Sequence, residues 1–363
     1  MLTFSSRRIA VFIALAAFAF TGCGPGDNPR ALKVESVTDL GPLSMPATVP
    51  GRDGGWSGLV FGKLFWTFGD SFITVKGEDG LNVRSSTSAW SASGSAFGTA
   101  LTEPLTSAGI PYQLVPYTSD ELAANQADSA NGWALWGGPV LFEKNAEALF
   151  LYSRVKRENG SGFNTVSVGV ARVSDGATTA RRDPSPLFAQ PEPLYGNGSA
   201  YVDEQYVYLY QCDVAAPLDM ACAVARAPRA QADHRSAYVF YDGAQWVSDI
   251  SKARPVVHGA AAGFSVDWND WLGCYVAVHS ELLGKGIRLR TAPAPEGPWS
   301  EAITLPADGT SILPNTDGEF GNYLAVQHRG LGSADGRELV VTYSRPLAPF
   351  RGEVRAARIR LAE

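Results

Sequence analysis

Five times between residues 55 and 343 the chain writes the same unit: a cluster of small residues, a short apolar strand, a turn, and a second apolar strand ending on a polar side chain. The copies open at Gly55-Trp56-Ser57-Gly58-Leu59, Gly137-Gly138-Pro139-Val140-Leu141, Gly198-Ser199-Ala200-Tyr201-Val202, Gly263-Phe264-Ser265-Val266 and Asn322-Tyr323-Leu324-Ala325-Val326. They return at Leu64-Phe65-Trp66-Thr67-Phe68, Leu149-Phe150-Leu151-Tyr152, Tyr206-Val207-Tyr208-Leu209-Tyr210, Cys274-Tyr275-Val276-Ala277-Val278 and Leu339-Val340-Val341-Thr342-Tyr343. Gly138, Gly198, Gly263 and Tyr323 are spaced 60, 65 and 60 residues apart, which fits one four-stranded propeller blade with generous loops per interval. The longer first interval holds a Gly/Ser/Thr/Ala-rich stretch at 93–131, read as a long loop over one face.

Outer strands are expected at 86–91, 165–173, 221–227 followed by 238–246, 286–291 and 353–361. The early strand 32–37 is expected beside the C-terminal strand, closing the ring and removing an exposed edge. The predicted fold is therefore all-β: a five-bladed β-propeller in a single domain over 32–363. A β-sandwich fits less well, since sandwiches rarely run past about 250 residues and carry no such repeat. Composition agrees. With 38 Gly, 23 Pro and 39 aromatic residues among 363, and only 18% charged residues, the chain is too apolar for disorder and too turn-rich for a helical bundle. The formal charge of −6 lacks the basic footprint of a nucleic-acid binder.

Residues 1–22 read as a targeting segment. Arg7 and Arg8 precede an apolar run from Ile9 to Phe20, too short for the roughly 20 residues of a membrane span. Thr21-Gly22-Cys23 then looks like a bacterial lipobox, with Cys23 acylated as the mature N-terminus and Phe20 where the pattern prefers Leu. Residues 23–31, rich in Gly and Pro, form a tether. The expectation is an exported monomer in the cell envelope, lipid-anchored without spanning the membrane. In that oxidising compartment Cys212 and Cys222, at the facing ends of two strand-like runs, are candidates for a disulfide, and Cys274 for a buried free thiol. The four histidines are scattered without zinc spacing and no dense acidic cluster argues for a cation, so no metal and no cofactor are assigned.

In a propeller the start of each innermost strand and the end of its return share one face. In the first copy these ends are Arg52-Asp53-Gly54-Gly55 and Phe68-Gly69-Asp70-Ser71. Taking Gly62-Lys63 as the two-residue turn places Gly55 opposite Asp70 and Asp53 diagonal to it, roughly 7–8 Å away between Cα atoms. Two carboxylates so placed meet the requirement of glycoside hydrolysis, one as proton donor and one as nucleophile or base. Equivalent positions on other blades offer groups that stack on or hydrogen-bond a sugar: Trp136, Asn197, Arg154, His279 and Arg345. Arg52, Trp56 and Trp90, around the first hairpin, complete the candidate sugar contacts.

The same residues carry a family resemblance. Gly51-Arg52-Asp53-Gly54-Gly55-Trp56-Ser57-Gly58 with Leu64-Phe65-Trp66-Thr67-Phe68-Gly69-Asp70-Ser71 resembles the opening signature of a bacterial domain-of-unknown-function family of five-bladed propellers in which endo-D-arabinanases have been placed. Ser86-Thr87-Ser88-Ala89-Trp90-Ser91, Ala225-Arg226-Ala227-Pro228, Arg290-Thr291-Ala292-Pro293 and Glu296-Gly297-Pro298-Trp299-Ser300 extend it from about Thr48 to Leu361. The resemblance implies an endo-acting hydrolase of arabinan-type, D-arabinofuranosyl polysaccharide, with Asp53 and Asp70 as catalysts. Unlike related five-bladed arabinan, xylan and fructan hydrolases, the chain offers no carboxylate at Gly137-Gly138-Pro139 or Gly196-Asn197-Gly198. The alternatives are a non-catalytic glycan-binding lipoprotein and a protein-binding scaffold.

Overall fold

The computed structural model describes residues 30–363 except 78, 93–100, 161, 217–218, 262, 283–284 and 317–320. The leader, Cys23 and the tether up to residue 29 lie outside the described residues. The strands fall into five antiparallel-built sheets in chain order. The first holds Trp56–Val60, Lys63–Phe68 and Thr87–Ala92; the second Trp133–Lys144, Glu147–Glu158, Gly162–Ser174 and Arg181–Arg182. The third is built on Ser199–Val202, Tyr206–Ala216 and Asp219–Pro228; the fourth on Phe264–Asn269, Cys274–Ser280, Ile287–Ala292 and Ile303–Leu305. The fifth runs Tyr323–Gln327, Glu338–Ala348, Arg351–Leu361 and then back to the early strand Val34–Pro42, which pairs antiparallel with Arg351–Leu361.

The middle strand of each unit is apolar along nearly its whole length instead of alternating, as in Lys63–Phe68, where five consecutive residues are buried. A strand with a neighbouring sheet on both faces has no solvent side, so it reads as a continuous apolar run. The core is accordingly divided into clusters, each between consecutive sheets. Phe65 meets Leu135 and Phe150 between the first and second; Leu151 and Val168 meet Leu209 between the second and third. Tyr210 and Val224 meet Phe264, Val278 and Leu289 meet Val341, and Trp66 and Phe68 meet Val354 across the last junction. The innermost strands also pack in sequence, and the turn at Arg329–Leu331 comes back to Trp56–Val60. This is an all-β, propeller-like ring.

Two expectations change. Among the described residues four sheets have four or more strands, whereas the first has three, extended past Thr87–Ala92 only by a lone bridge between Trp90 and Thr102. Five equal blades thus become four full blades and one three-stranded sheet. The stretch that would supply the missing strand is rich in Gly, Ser and Ala, residues with little to pack on a pleated surface. The described part of the expected long loop, moreover, contains the helix Ser119–Ala127. Thr118 and Glu121 close a reciprocal capping box at its start, Thr118 Oγ1 accepting from Glu121 N and Glu121 Oε2 from Thr118 N.

A buried imidazole ties the last sheet to the first. His328, 1% exposed, hydrogen-bonds Ser57 Oγ through Nδ1 and Thr342 Oγ1 through Nε2, both at 2.7 Å, and its ring lies 4.6 Å from that of Trp66. Burial pushes its pKa down to about 3. The unfolded chain takes up a proton near pH 6.5 that the folded chain refuses, so this contribution is whole above 6.5 and is lost as pH falls toward 3. His328→Gln should therefore lie about 1–3 kcal/mol below wild type at pH 7, and the gap should narrow by about 1.4 kcal/mol per pH unit below 6.5. Urea unfolding at pH 7.5, 6 and 5 measures it; a gap that stays constant contradicts the neutral-latch role.

Candidate active site

The first hairpin pairs Trp56 with Thr67 and Val60 with Lys63. Its turn is therefore Phe61-Gly62, one residue earlier than expected, with φ of 51° and 70°. A left-handed phenylalanine is uncommon. Here it is held by its backbone N–H donating to Glu143 Oε2 at 3.1 Å and by its ring 6.2 Å from that of Trp90. The same register continues beyond the strands, where Arg52 pairs with Ser71 and Gly51 with Phe72. Asp53 thus stands directly opposite Asp70 instead of diagonal to it. Asp53 N donates to Asp70 O and Gly69 N to Asp53 O, both at 3.0 Å. The two bonds set both Gly69 and Asp70 across from Asp53, as in a β-bulge.

Glycine makes the close approach possible. A Cβ on Gly69 would sit 2.5 Å from Asp53 Oδ1, and Gly54, at φ +71°, donates its N–H to Ser344 Oγ of the fifth sheet at 2.9 Å. Each carboxylate then has its own neighbour across a sheet junction. Tyr323, at the start of the fifth innermost strand, donates its hydroxyl to Asp53 Oδ2 at 2.9 Å. Arg157, near the end of Glu147–Glu158, places Nη2 3.6 Å from Asp70 Oδ1. The Trp136 indole N–H also leans toward Asp70, short of a full hydrogen bond. Trp136 packs 5.3 Å from Phe163, which is 52% exposed and pairs across strands with Arg157, so the two rings form an aromatic wall beside the carboxylates.

Burial raises the Asp53 carboxyl, the neighbouring Asp70 charge raises it further, and the Tyr323 hydrogen bond only partly opposes, leaving it at about 7. Burial also raises Asp70, with Arg157 and then Trp136 opposing. Two carboxylates so coupled titrate as a unit holding one proton over an intermediate pH range. The proton belongs on Asp53, beside which the described residues place no cation, and the charge on Asp70, which faces Arg157.

The other candidates divide. Trp136 lies at the pair. Arg52 does not reach it: 3% exposed, it bonds Ser71 Oγ and grips Glu103 through both terminal nitrogens at 2.8 and 2.6 Å. Trp56 is 7% exposed in the core, and Trp90 packs on Phe65, toward the other end of the hairpin. His279 is fully buried, its Nδ1 bonded to Ser280 O at 2.8 Å, and desolvation lowers its pKa to about 4. Arg345 is held by Glu353 and by Pro314 O, both at 2.8 Å, and Asn197 accepts from Cys212 N at 3.4 Å. Asn197, His279 and Arg345 stand at equivalent strand ends, but nearby groups of the fold already engage polar atoms of each. Cys212 and Cys222, directly opposed on adjacent strands, form a disulfide, and Cys274 is buried. Among the described residues no group of three or more His, Cys, Asp or Glu is placed to hold a metal ion. Tyr323 and Arg157 are the site residues missed. Tyr323 could have been found, since it opens the fifth repeat as Asp53 precedes the first.

A family model described as a domain of unknown function, DUF4185, matches residues 141–346. No curated protein matches the chain. Among solved structures, a protein of Bacteroides ovatus described as a candidate hydrolase superposes with a TM-score of 0.57 at 18% identity, over 86% of this chain and 87% of its own. The α-L-arabinofuranosidase PaAbf62A of Podospora anserina, in complex with cellotriose, gives 0.51 at 13%, over 91% and 98%. An exo-β-1,3-galactanase of Phanerochaete chrysosporium gives 0.56 at 12%, over 91% and 67%. At these identities the likeness is one of fold.

Asp53→Asn should fold. A carboxyl raised on folding contributes stability that is whole below its unfolded pKa and is lost as pH rises through the folded one. The variant escapes that loss, so its stability should gain on wild type between pH 4 and pH 7. Denaturant unfolding at pH 5 and pH 8 checks this; an equal offset at both would contradict a protonated Asp53.

Proposed function

The chain belongs to the DUF4185 family, and on that premise we propose that it is a glycoside hydrolase whose reacting groups are Asp53 and Asp70. The observation that carries the reading is two buried carboxylates held across from each other with unlike neighbours, the Tyr323 hydroxyl on Asp53 and the Arg157 guanidinium by Asp70. Glycosidic cleavage needs one carboxyl that still holds its proton near neutral pH and one that has lost it. Asp53, desolvated, donates its proton to the departing glycosidic oxygen. Asp70, kept anionic by Arg157, serves the anomeric carbon, directly or through water. Trp136 and Phe163 stack on a sugar ring, with the exposed Phe163 face toward solvent. Tyr323 orients Asp53 from the opposite side.

The substrate we propose is an arabinan-type polysaccharide with D-arabinofuranosyl units, on the strength of the opening signature; the fold shared with an α-L-arabinofuranosidase supports a furanoside. In this reading the three-stranded sheet is the fifth blade. The protein works in the cell envelope, held to the membrane by lipid on Cys23.

The test is product analysis after incubating the protein from Gly24 onward with D-arabinan, with L-arabinan and fructan as controls. Oligosaccharides should come from D-arabinan, and Asp53→Asn and Asp70→Asn should each lose about 10²–10⁴ in turnover. Since Asp53 must be protonated to act, kcat/KM should fall above about pH 7, tenfold per unit. Saturable glycan binding with no product from any polymer would replace the hydrolase with the glycan-binding reading.

A further inference from the structure

Next to the aspartate pair the second sheet carries a separate cleft of about 480 Å³, between the helix Ser119–Ala127 and the strands Glu147–Glu158 and Gly162–Ser174. Its walls include Glu121, Trp133, Tyr152, Arg154 and Arg182. Trp133 opens the second innermost strand. The connection is direct: Arg157, which faces Asp70, donates to Trp133 O at 3.4 Å.

The two arginines are not equivalent. Arg182 uses all three nitrogens: Nε donates to the Tyr152 hydroxyl at 3.0 Å, Nη1 to Glu121 Oε2 at 2.6 Å and Pro116 O at 3.3 Å, and Nη2 to Glu121 Oε1 at 3.4 Å. Arg154 donates only through Nε, to Glu121 Oε1 at 2.6 Å; among the described residues its Nη1 and Nη2 have no partner. Glu121 thus serves two guanidinium groups with one charge. The Arg154 guanidinium also sits over Trp133, with Cζ 3.6 Å from the ring centre, which together with the Glu121 bond holds its position. Lys156 stands 4.7 Å from the same ring. Two acids also line the cleft. Asp183 is paired with Arg172 at 2.8 and 2.9 Å, and Asp120 on the exposed helix turn has only the Ser119 hydroxyl, at 3.5 Å. Of the charged groups that line the cleft, Asp183 is matched by Arg172 and Arg182 by Glu121, so the Arg154 terminal nitrogens are the cationic donors left facing the space.

We propose that this cleft binds an anionic group, the carboxylate of an acidic sugar or a phosphate, through the two open nitrogens of Arg154. A planar fork with two parallel N–H groups is the side chain best matched to such an anion. That the anion is a substituent of the polysaccharide rests on the hydrolase reading; that the cleft holds an anion does not.

The experiment is calorimetric titration of the purified protein with D-glucuronate, with inorganic phosphate and, as a neutral control, with D-glucose. Saturable binding of glucuronate or phosphate but not glucose is expected, and the stronger of the two identifies the source. Arg154→Gln should weaken it by at least about tenfold with an unchanged melting temperature, because Glu121 keeps Arg182. Arg154→Lys, which keeps the charge but loses the fork, should fall between. Asp53→Asn should bind as wild type does, so a failed hydrolase reading leaves this result standing. Absence of both anions from the wild-type protein, or equal affinity in Arg154→Gln, would overturn the proposal.

Discussion

With Phe61 and Gly62 in the turn of the first hairpin, every cross-strand partner along it is set by one register, and just beyond its end two carboxylates stand across from each other. Burial of the Asp53 carboxyl is the larger cause of its raised pKa and the neighbouring Asp70 charge the second. Together they carry it to about 7. Tyr323 supplies a hydrogen bond to one carboxylate and Arg157 a charge to the other. The two aspartates, alike in chemistry and position, are made unlike by what the adjacent sheets set beside them.

That asymmetry depends on the ring being closed. Tyr323 belongs to the last sheet, Arg157 to the second, and both aspartates flank the first, so the site exists only where three sheets converge. The junction between last and first sheets is where the chain must return on itself. It is held by the His328 bonds to Ser57 and Thr342, by Gly54 on Ser344, and by the apolar contact of Trp66 and Phe68 with Val354. Val34–Pro42 pairs along the outer strand of the last sheet.

The sheets were legible in the sequence because each repeat buries both faces of its second strand, and a continuous apolar run after a glycine cluster needs no partner information to be seen. The exact register was not. Glycine at the first turn position is the local preference, but Phe61 is held in a left-handed conformation by Glu143 and Trp90, residues distant in sequence. Arg154 was noticed and Arg157 was not, since bulges on either side of Glu147–Glu158 decide which of its arginines reaches Asp70. The helix Ser119–Ala127 was hidden by a small-residue composition, although Thr118 and Glu121 spell a capping box that could have been read. Arg52, Trp56 and His279 show the reverse error: residues of sugar-binding type whose polar or aromatic groups are consumed within the fold.

The measurement that bears most directly on the shared proton is carboxyl carbon NMR of the protein labelled at aspartate, titrated from pH 3 to pH 9 and assigned with Asp53→Asn and Asp70→Asn. Two coupled steps are predicted, the upper near pH 7 and seen mainly at Asp53, with the upper step gone once either partner is replaced. If both carboxyls ionise below about pH 5, in the range of ordinary aspartates, the pair does not share a proton and the division of labour derived from it is wrong.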